Sequence, residues 1–282
     1  MAELGLVHLV RAQNGLEPFE SFLASYRAHP CGVPHELLLV FKGFAPDANL
    51  TPYHALLAGL SYRTLTVADE EFDIGPYFAA ARAFDHEYFC FLNSFSVILA
   101  DDWLGALYRH STRPGVGLVG ATGSHESIYT CHLQAWPWTV GTKRLSRLYL
   151  AGLYYGWREL WQLRADFAPF PNPHVRTNAF ILPRHVISRL KLWPLQRKAD
   201  AERFESGRHG LTHQVLDMNL ATLVVGRDGQ AYAPAHWRAS RTFRGGEQTN
   251  LLVADNRTRQ YAQADPATKR ALAQQAWGAC AE

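Results

Sequence analysis

The chain has 282 residues, 48% of them hydrophobic and 19% charged, a balance that suits a folded protein and excludes a disordered one. Its formal charge of +3 is spread without a dense Lys/Arg block, which argues against nucleic acid as a partner. Taken in order, GLVHLV (5–10) reads as a buried strand, and a polar turn leads into a helix whose Leu16, Phe19, Phe22, Leu23 and Tyr26 recur at helical spacing. HELLLVFKGF (35–44) is a second strand, and Thr51 as N-cap with Pro52 after it opens the next helix. A third strand is expected at 63–69, a short helix at 75–84 and a fourth strand at 87–93. Asp101 then caps DWLGALYRH, and a fifth strand spans 116–124.

Beyond residue 125 the pattern loosens. A long aromatic helix is expected over 142–165, followed by the Pro-rich break FAPFPNPH. VRTNAFILPRHVISRL reads as a strand into a helix, and a helix capped by Thr212 runs into a further strand. RDGQAY is a turn, the stretch from Trp237 is loop-rich, and a last helix is capped by Asp265. Alternating strands and helices predict an α/β, Rossmann-type, mainly parallel sheet flanked by helices, with a less regular C-terminal part. We expect one domain over 1–282, with a nucleotide-binding half at 1–125 and an acceptor-binding half at 126–282. Such sheets bind ligands beyond the carboxyl ends of their strands, which directs attention to Arg11, Asn14, Lys42, Asp69, Asn93 and Ser94.

Four cysteines at 31, 90, 131 and 280 form no CxxC pair, so neither a zinc site nor a disulfide framework is expected. The N-terminal MAELGLVHLV lacks the features of a signal peptide, and no stretch approaches the roughly 20 apolar residues that cross a bilayer. A cytoplasmic protein is expected, at most peripheral on the inner face of the membrane.

FDIGPYFAAARAFDHEYFCFLNSFSVILADDWLGAL (72–107) resembles the nucleotide-binding core of GT-A-type glycosyltransferases. Asp73, Gly75, Arg82, Leu92 and the WLGAL helix occupy the places of that family's motifs, and VHLVRAQNG looks like its first strand and nucleotide-contacting turn. The Asn-Ser strand end is also similar to bacterial polysaccharide-synthesis transferases of the rhamnan-synthesis kind. The resemblance implies a nucleotide-sugar donor, held by Arg11, Asn14, Lys42, Asp69, Asp73, Gly75, Asn93 and Ser94, and a surface-glycan or lipid-linked acceptor.

The chain departs from the family where two aspartates would hold a metal, because Asn93, Ser94 and Phe95 stand there. A hard divalent cation prefers carboxylate oxygens, so no metal and no other cofactor is expected. Asp101 and Asp102 are read as a helix cap rather than as ligands. Cationic side chains must then stabilise the leaving diphosphate, and Arg238, Arg241 and Arg244 are the candidates. Inverting transfer needs a general base, for which Glu205 is the first choice and His213 the second, with Glu202 and Asp217 as competitors. Arg176, Asn178, Ser124 and His125, with Glu126 nearby, are candidate acceptor contacts.

Within 143–164, Leu145, Leu148, Leu153, Trp157 and Leu160 form one helical stripe, and Arg144, Arg147 and Arg158 another. Tyr149, Tyr154, Tyr155 and Trp161 border them, a pattern suited to the surface of an anionic membrane. A catalytically inactive, glycan- or partner-binding module is the alternative reading. A serine hydrolase is disfavoured because no GxSxG elbow is present.

Overall fold

The computed structural model describes residues 3–140 and 147–278, with the backbone alone for 136–140 and 147–155. Its strands are β1 (Leu4–Arg11), β2 (Glu36–Lys42), β3 (Tyr62–Val67), β4 (Tyr88–Leu92), β5 (Val97–Ile98), β6 (Val116–Gly120), β7 (Gly123–Ser124), β8 (His174–Val175), β9 (Ala179–Pro183), β10 (Ala221–Val225), β11 (Ala231–Tyr232) and β12 (Val253–Ala254). The helices are α1 (Glu17–Ala28), α2 (Thr51–Leu56), α3 (Ile74–Ala83), α4 (Trp103–Ser111), α5 (Ile128–Val140), α6 (Arg147–Asp166), α7 (Arg184–Ile187), α8 (Lys198–Ser206), α9 (Leu211–Asp217), α10 (Asn256–Gln263) and α11 (Pro266–Trp277). All five early strands and the helices between them lie within a few residues of their expected places. The first turns expected of the long aromatic helix, including Arg144 and Leu145, lie outside the described residues.

Eight strands form one sheet in the order β11-β10-β6-β9-β4-β1-β2-β3. β1 is an inner strand that pairs in parallel with β2 and β4, His8 lying opposite Leu39 on one side and Leu92 on the other. Side chains alternate across a strand, and that alternation sorts the core into two layers. Leu6 and Val10 of β1, Leu39 and Phe41 of β2, and Cys90 and Leu92 of β4 pack with Phe19 and Phe22 of α1 and Trp103 of α4. Val7 and Leu9, Leu38 and Val40, and Phe89 and Phe91 face the other way, toward Tyr77 of α3, Phe204 of α8 and Trp277 of α11. Long apolar runs such as LLLVF arise because both faces of a central strand are covered.

Two features go beyond the sequence reading. β9 inserts antiparallel between β4 and β6, pairing Leu92 with Ala179 and Val119 with Ile181. The start of β9 therefore meets the end of β4, where Asn93 N donates to Asn178 O at 3.0 Å. β7 and β8 form a separate two-stranded ribbon, pairing Ser124 with His174. The result gathers the C-terminal ends of β1, β2, β3 and β4 with the N-terminus of β9 along one edge of the sheet.

Several caps differ from expectation. Helix α2 is preceded by Leu50, and Thr51 lies inside it. Asp102, not Asp101, takes the N-cap position of α4, without a capping side-chain bond. Its carboxylate pairs instead with Arg109 at 2.8 Å, and Asp101 meets His29 at 2.8 Å. Gly210 precedes α9, leaving the Thr212 hydroxyl to accept from Val175 N at 2.9 Å and tie α9 to β8. Asp265 does cap α11, accepting from the backbone of Ala267 and Thr268.

Candidate active site

At the ends of β1, β2 and β3 a cleft of about 540 Å³ is lined by Arg11, Lys42, Asp69–Phe72 and Pro194–Gln196. The Arg11 guanidinium donates to both Asp69 oxygens at 3.1 and 3.3 Å, and Lys42 Nζ lies 3.3 Å from Oδ1. Lys42 is 1% exposed and also donates to the Phe72 carbonyl. Its burial, with the neighbouring Arg11 charge, lowers its pKa against the pull of Asp69. Burial opposes ionisation of Asp69, yet the Arg11 and Lys42 charges outweigh it and hold its carboxyl below the usual range. Gly43 permits this arrangement: its φ is +73°, and a Cβ there would fall 2.8 Å from the Asp69 Cβ.

Asp73, just ahead of α3, is half-buried. Desolvation raises its pKa; Lys42 and Arg11 act against that rise, and Glu205 adds to it. One carboxyl thus feels both the cationic group at the strand ends and a carboxylate from α8.

Glu205 lies in a second cleft of about 200 Å³, lined by Ser124, Glu126, Ile128, His174, Arg176, Glu202, Ser206, Phe243, Arg244 and Arg257. Thr177 N donates to Glu205 Oε1 at 3.2 Å, which anchors the carboxylate to the turn before β9. Arg176, from the turn after β8, bonds the buried Asp255 at 2.8 Å and stacks 4.2 Å above the Phe243 ring. Asp255 also caps α10 through Thr258 N, and the Arg176 charge and these bonds keep it ionised in spite of its burial. Arg244 is 4% exposed, pairs with Glu126 at 3.2 Å and has no protein partner for its Nε–H. His174 Nδ1 lies 2.8 Å from the Asn172 carbonyl, a bond in which Nδ1 donates and Nε2 is left as the acceptor nitrogen. Burial lowers the His174 pKa, so the ring is neutral near pH 7, although Glu205 opposes the shift.

Between the two clefts lies the end of β4. Asn93 Oδ1 accepts from Phe95 N and Ser96 Oγ, each at 3.1 Å, in a closed local turn. Ser94 Oγ accepts from Asn14 Nδ2 at 2.7 Å, joining the turns that follow β1 and β4. Asn178 is buried, accepts from Thr122 Oγ1 at 2.6 Å and has no protein partner for its Nδ2.

Among solved structures, the mannosyltransferase PcManGT from Pyrobaculum calidifontis, in complex with GDP-Man and Mn2+, is similar over 86% of this chain and 60% of its own. The TM-score is 0.50 and the sequence identity 13%. This chain has the GT-A fold. Mouse xyloside xylosyltransferase 1 is similar over 79% of this chain and 84% of its own, with a TM-score of 0.42 and 12% identity. Glucosyl-3-phosphoglycerate synthase from Mycobacterium tuberculosis is similar over 68% and 61%, with a TM-score of 0.41 and 15% identity. No protein-family model and no curated protein matches the sequence. This chain thus spans about 60% of the length of the PcManGT chain.

In the GT-A fold the end of β4 is the place of the metal-binding aspartates, and the residues here do not fit a divalent ion. Asn93 Oδ1 is already taken by two donors, Ser94 Oγ by a third, and neither side chain is a carboxylate.

The remaining sequence candidates divide clearly. Arg11, Lys42 and Asp69 share the first cleft, while Ser124, Arg176, Glu202, Glu205 and Arg244 share the second. Gly75 is buried in the first turn of α3, where a Cβ would strike the Glu71 side chain, and Arg82 is exposed. His213 lies on α9 away from both clefts, near Asp217, which lines a different surface hollow. His125 is a packing residue: its Nε2 meets the Pro234 carbonyl at 3.0 Å and its ring packs 5.2 Å from Trp277. Arg238 and Arg241 are exposed, and neither lines the cleft that Arg244 enters.

Sequence reasoning passed over His174 and Arg257. His174 lies two residues before Arg176 in sequence, but no pattern singled it out. Arg257 carried no signal either, since the loop that brings α10 to the cleft has no periodicity to read.

Proposed function

We propose that this chain is an inverting glycosyltransferase that needs no metal ion and moves a sugar from a nucleotide-sugar donor to a glycan or lipid-linked acceptor. The observation that carries the reading is Glu205: a carboxylate fixed by a backbone N–H, in a cleft with three arginines. The GT-A fold supports the donor class.

In this mechanism Arg11, Lys42 and Asp69 hold the nucleoside end of the donor. Glu205 takes the proton of an acceptor hydroxyl as its oxygen bonds to the anomeric carbon. The bond from that carbon to the diphosphate breaks, and its electron pair leaves with the phosphate oxygen. Arg244, with Arg176 and Arg257, neutralises the charge that grows there, as preorganised donors do in a site shielded from water. Asp255 and Glu126 keep two of these guanidinium groups in place without cancelling the third.

The test combines calorimetry with UDP, GDP, CDP and dTDP in excess EDTA with a radiolabelled sugar-transfer assay. Binding of one nucleotide in EDTA is expected, with transfer that is lost in Glu205→Gln while binding is retained. Failure of every nucleotide to bind overturns the reading, and binding without transfer to any glycan or lipid-linked acceptor identifies an inactive binding module instead.

A further inference from the structure

Helix α6 displays a face that the core does not use. At 100° per residue, Trp157, Arg158, Trp161 and Arg164 fall within about 120° of one another. Trp157 is 60% exposed and Trp161 67%, the two most exposed large apolar side chains among the described residues. Arg158 and Arg164 are exposed beside them, whereas Leu160 and Leu163 turn inward and Gly156 is buried. Leu133, on the neighbouring α5, is 45% exposed.

Composition singles out the same stretch of sequence. Four of the chain's eight tryptophans, at 136, 138, 157 and 161, lie within residues 128–166. Five cations, Lys143, Arg144, Arg147, Arg158 and Arg164, stand there against Glu159 and Asp166. That excess equals the chain's whole formal charge of +3, so the other residues balance to zero. Among the described residues no helix is long and apolar enough to cross a membrane.

We propose that the outer face of α6, with α5 beside it, docks on the surface of an anionic phospholipid bilayer, lying in its interface rather than spanning it. Tryptophan prefers the boundary between headgroups and acyl chains, and clustered cations are drawn to acidic headgroups. Two exposed indole rings flanked by two exposed guanidinium groups fit that partner better than a neutral protein face. Its position also has a use, because α5 begins at Ile128, which lines the cleft that holds Glu205. A lipid-borne acceptor would meet the cleft from the bilayer side.

Vesicle flotation of the full chain tests the proposal and needs no sugar transfer, so its outcome is separate from that of the catalytic reading. Vesicles of phosphatidylcholine alone are compared with vesicles containing phosphatidylglycerol in equal part. The chain is expected to float with the acidic vesicles and to be released by salt. Arg158→Glu replaces an attraction by a repulsion and is expected to weaken binding roughly 30-fold. The double variant Trp157→Ser/Trp161→Ser is expected to weaken it roughly tenfold or more, with an unchanged circular dichroism spectrum. Arg113→Glu, at an exposed position outside the helix pair, should bind as the parent does. Equal affinity for both vesicle types, equal loss in Arg113→Glu and Arg158→Glu, or parent-like binding of the tryptophan variant overturns the proposal. A dimer in sedimentation velocity that the tryptophan variant abolishes also overturns it, by making the face a contact between copies.

Discussion

His8 lies fully buried in the centre of β1, stacked 3.6 Å from the Phe22 ring, and neither ring nitrogen has a protein partner. With no carboxylate or carbonyl to stabilise the imidazolium, desolvation alone lowers its pKa from 6.5 to about 3. Below pH 6.5 the unfolded chain binds a proton at this residue that the folded chain refuses until about pH 3. Acid therefore favours unfolding, and the stability contributed by neutral His8 is lost progressively as pH falls through that window. At about 1.4 kcal/mol per pH unit, the loss between pH 7 and pH 5 is about 2 kcal/mol, a large part of a typical net stability of about 5–15 kcal/mol. His8→Leu keeps the apolar contact with Phe22 and removes the titration. Urea unfolding of both proteins at pH 7 and pH 5 should show the variant losing about 2 kcal/mol less than the parent. Other buried histidines titrate in both proteins and cancel in the comparison. Equal losses would refute the account and mean that His8 is protonated in the folded chain.

Three further outcomes follow from the site. Glu205→Gln should lower kcat by roughly 10²–10⁴-fold with little change in nucleotide affinity, measured by transfer assay and calorimetry. Asp255→Asn strips the buried Arg176 of its counter-charge and should cost about 3–5 kcal/mol in urea unfolding, with a lower kcat where the protein still folds. Gly43→Ala forces a Cβ toward Asp69 at a positive φ and should cost at least about 1 kcal/mol, while raising the Kd for the nucleotide.

The first half of the chain was legible because its physics is local. Apolar runs, helical spacing and polar residues after each strand identify β1 to β4 and place Arg11, Lys42, Asp69 and Asn93 on one sheet edge. The antiparallel entry of β9 was not legible, since direction in a sheet is set by long-range pairing that an apolar run does not encode. The arginines show the limit most plainly. Arg238, Arg241 and Arg244 were expected to act together on a diphosphate from one loop-rich stretch, but nearness in sequence does not fix which way loop side chains face. Here the backbone takes φ of 55° at Arg241 and 41° at Arg244, so the loop turns between them and only Arg244 enters the cleft. His213 failed for a related reason: the helix was expected correctly, but its orientation is set by Thr212 bonding to β8.

In the proposed mechanism the balance of charge in the second cleft decides how a leaving group would be stabilised. Glu126, Glu202 and Glu205 face Arg176, Arg244 and Arg257 there, so the cleft lining is formally near neutral. A diphosphate entering such a place would not be held by net charge alone; it would compete for guanidinium groups of which Arg176 and Arg244 are already engaged by carboxylates. Arg244 meets that condition, because Glu126 takes one terminal nitrogen and leaves the buried Nε–H unpaired. An unpaired buried donor carries a desolvation cost of about 1–3 kcal/mol, which a phosphate oxygen would relieve. The same pairing keeps Arg244 fixed before the ligand arrives, so little ordering is left to be done when charge develops on the leaving group. For the proposed transfer, a neutral resting cleft and strong stabilisation of a departing diphosphate would therefore be compatible, and the geometry of one arginine would reconcile them.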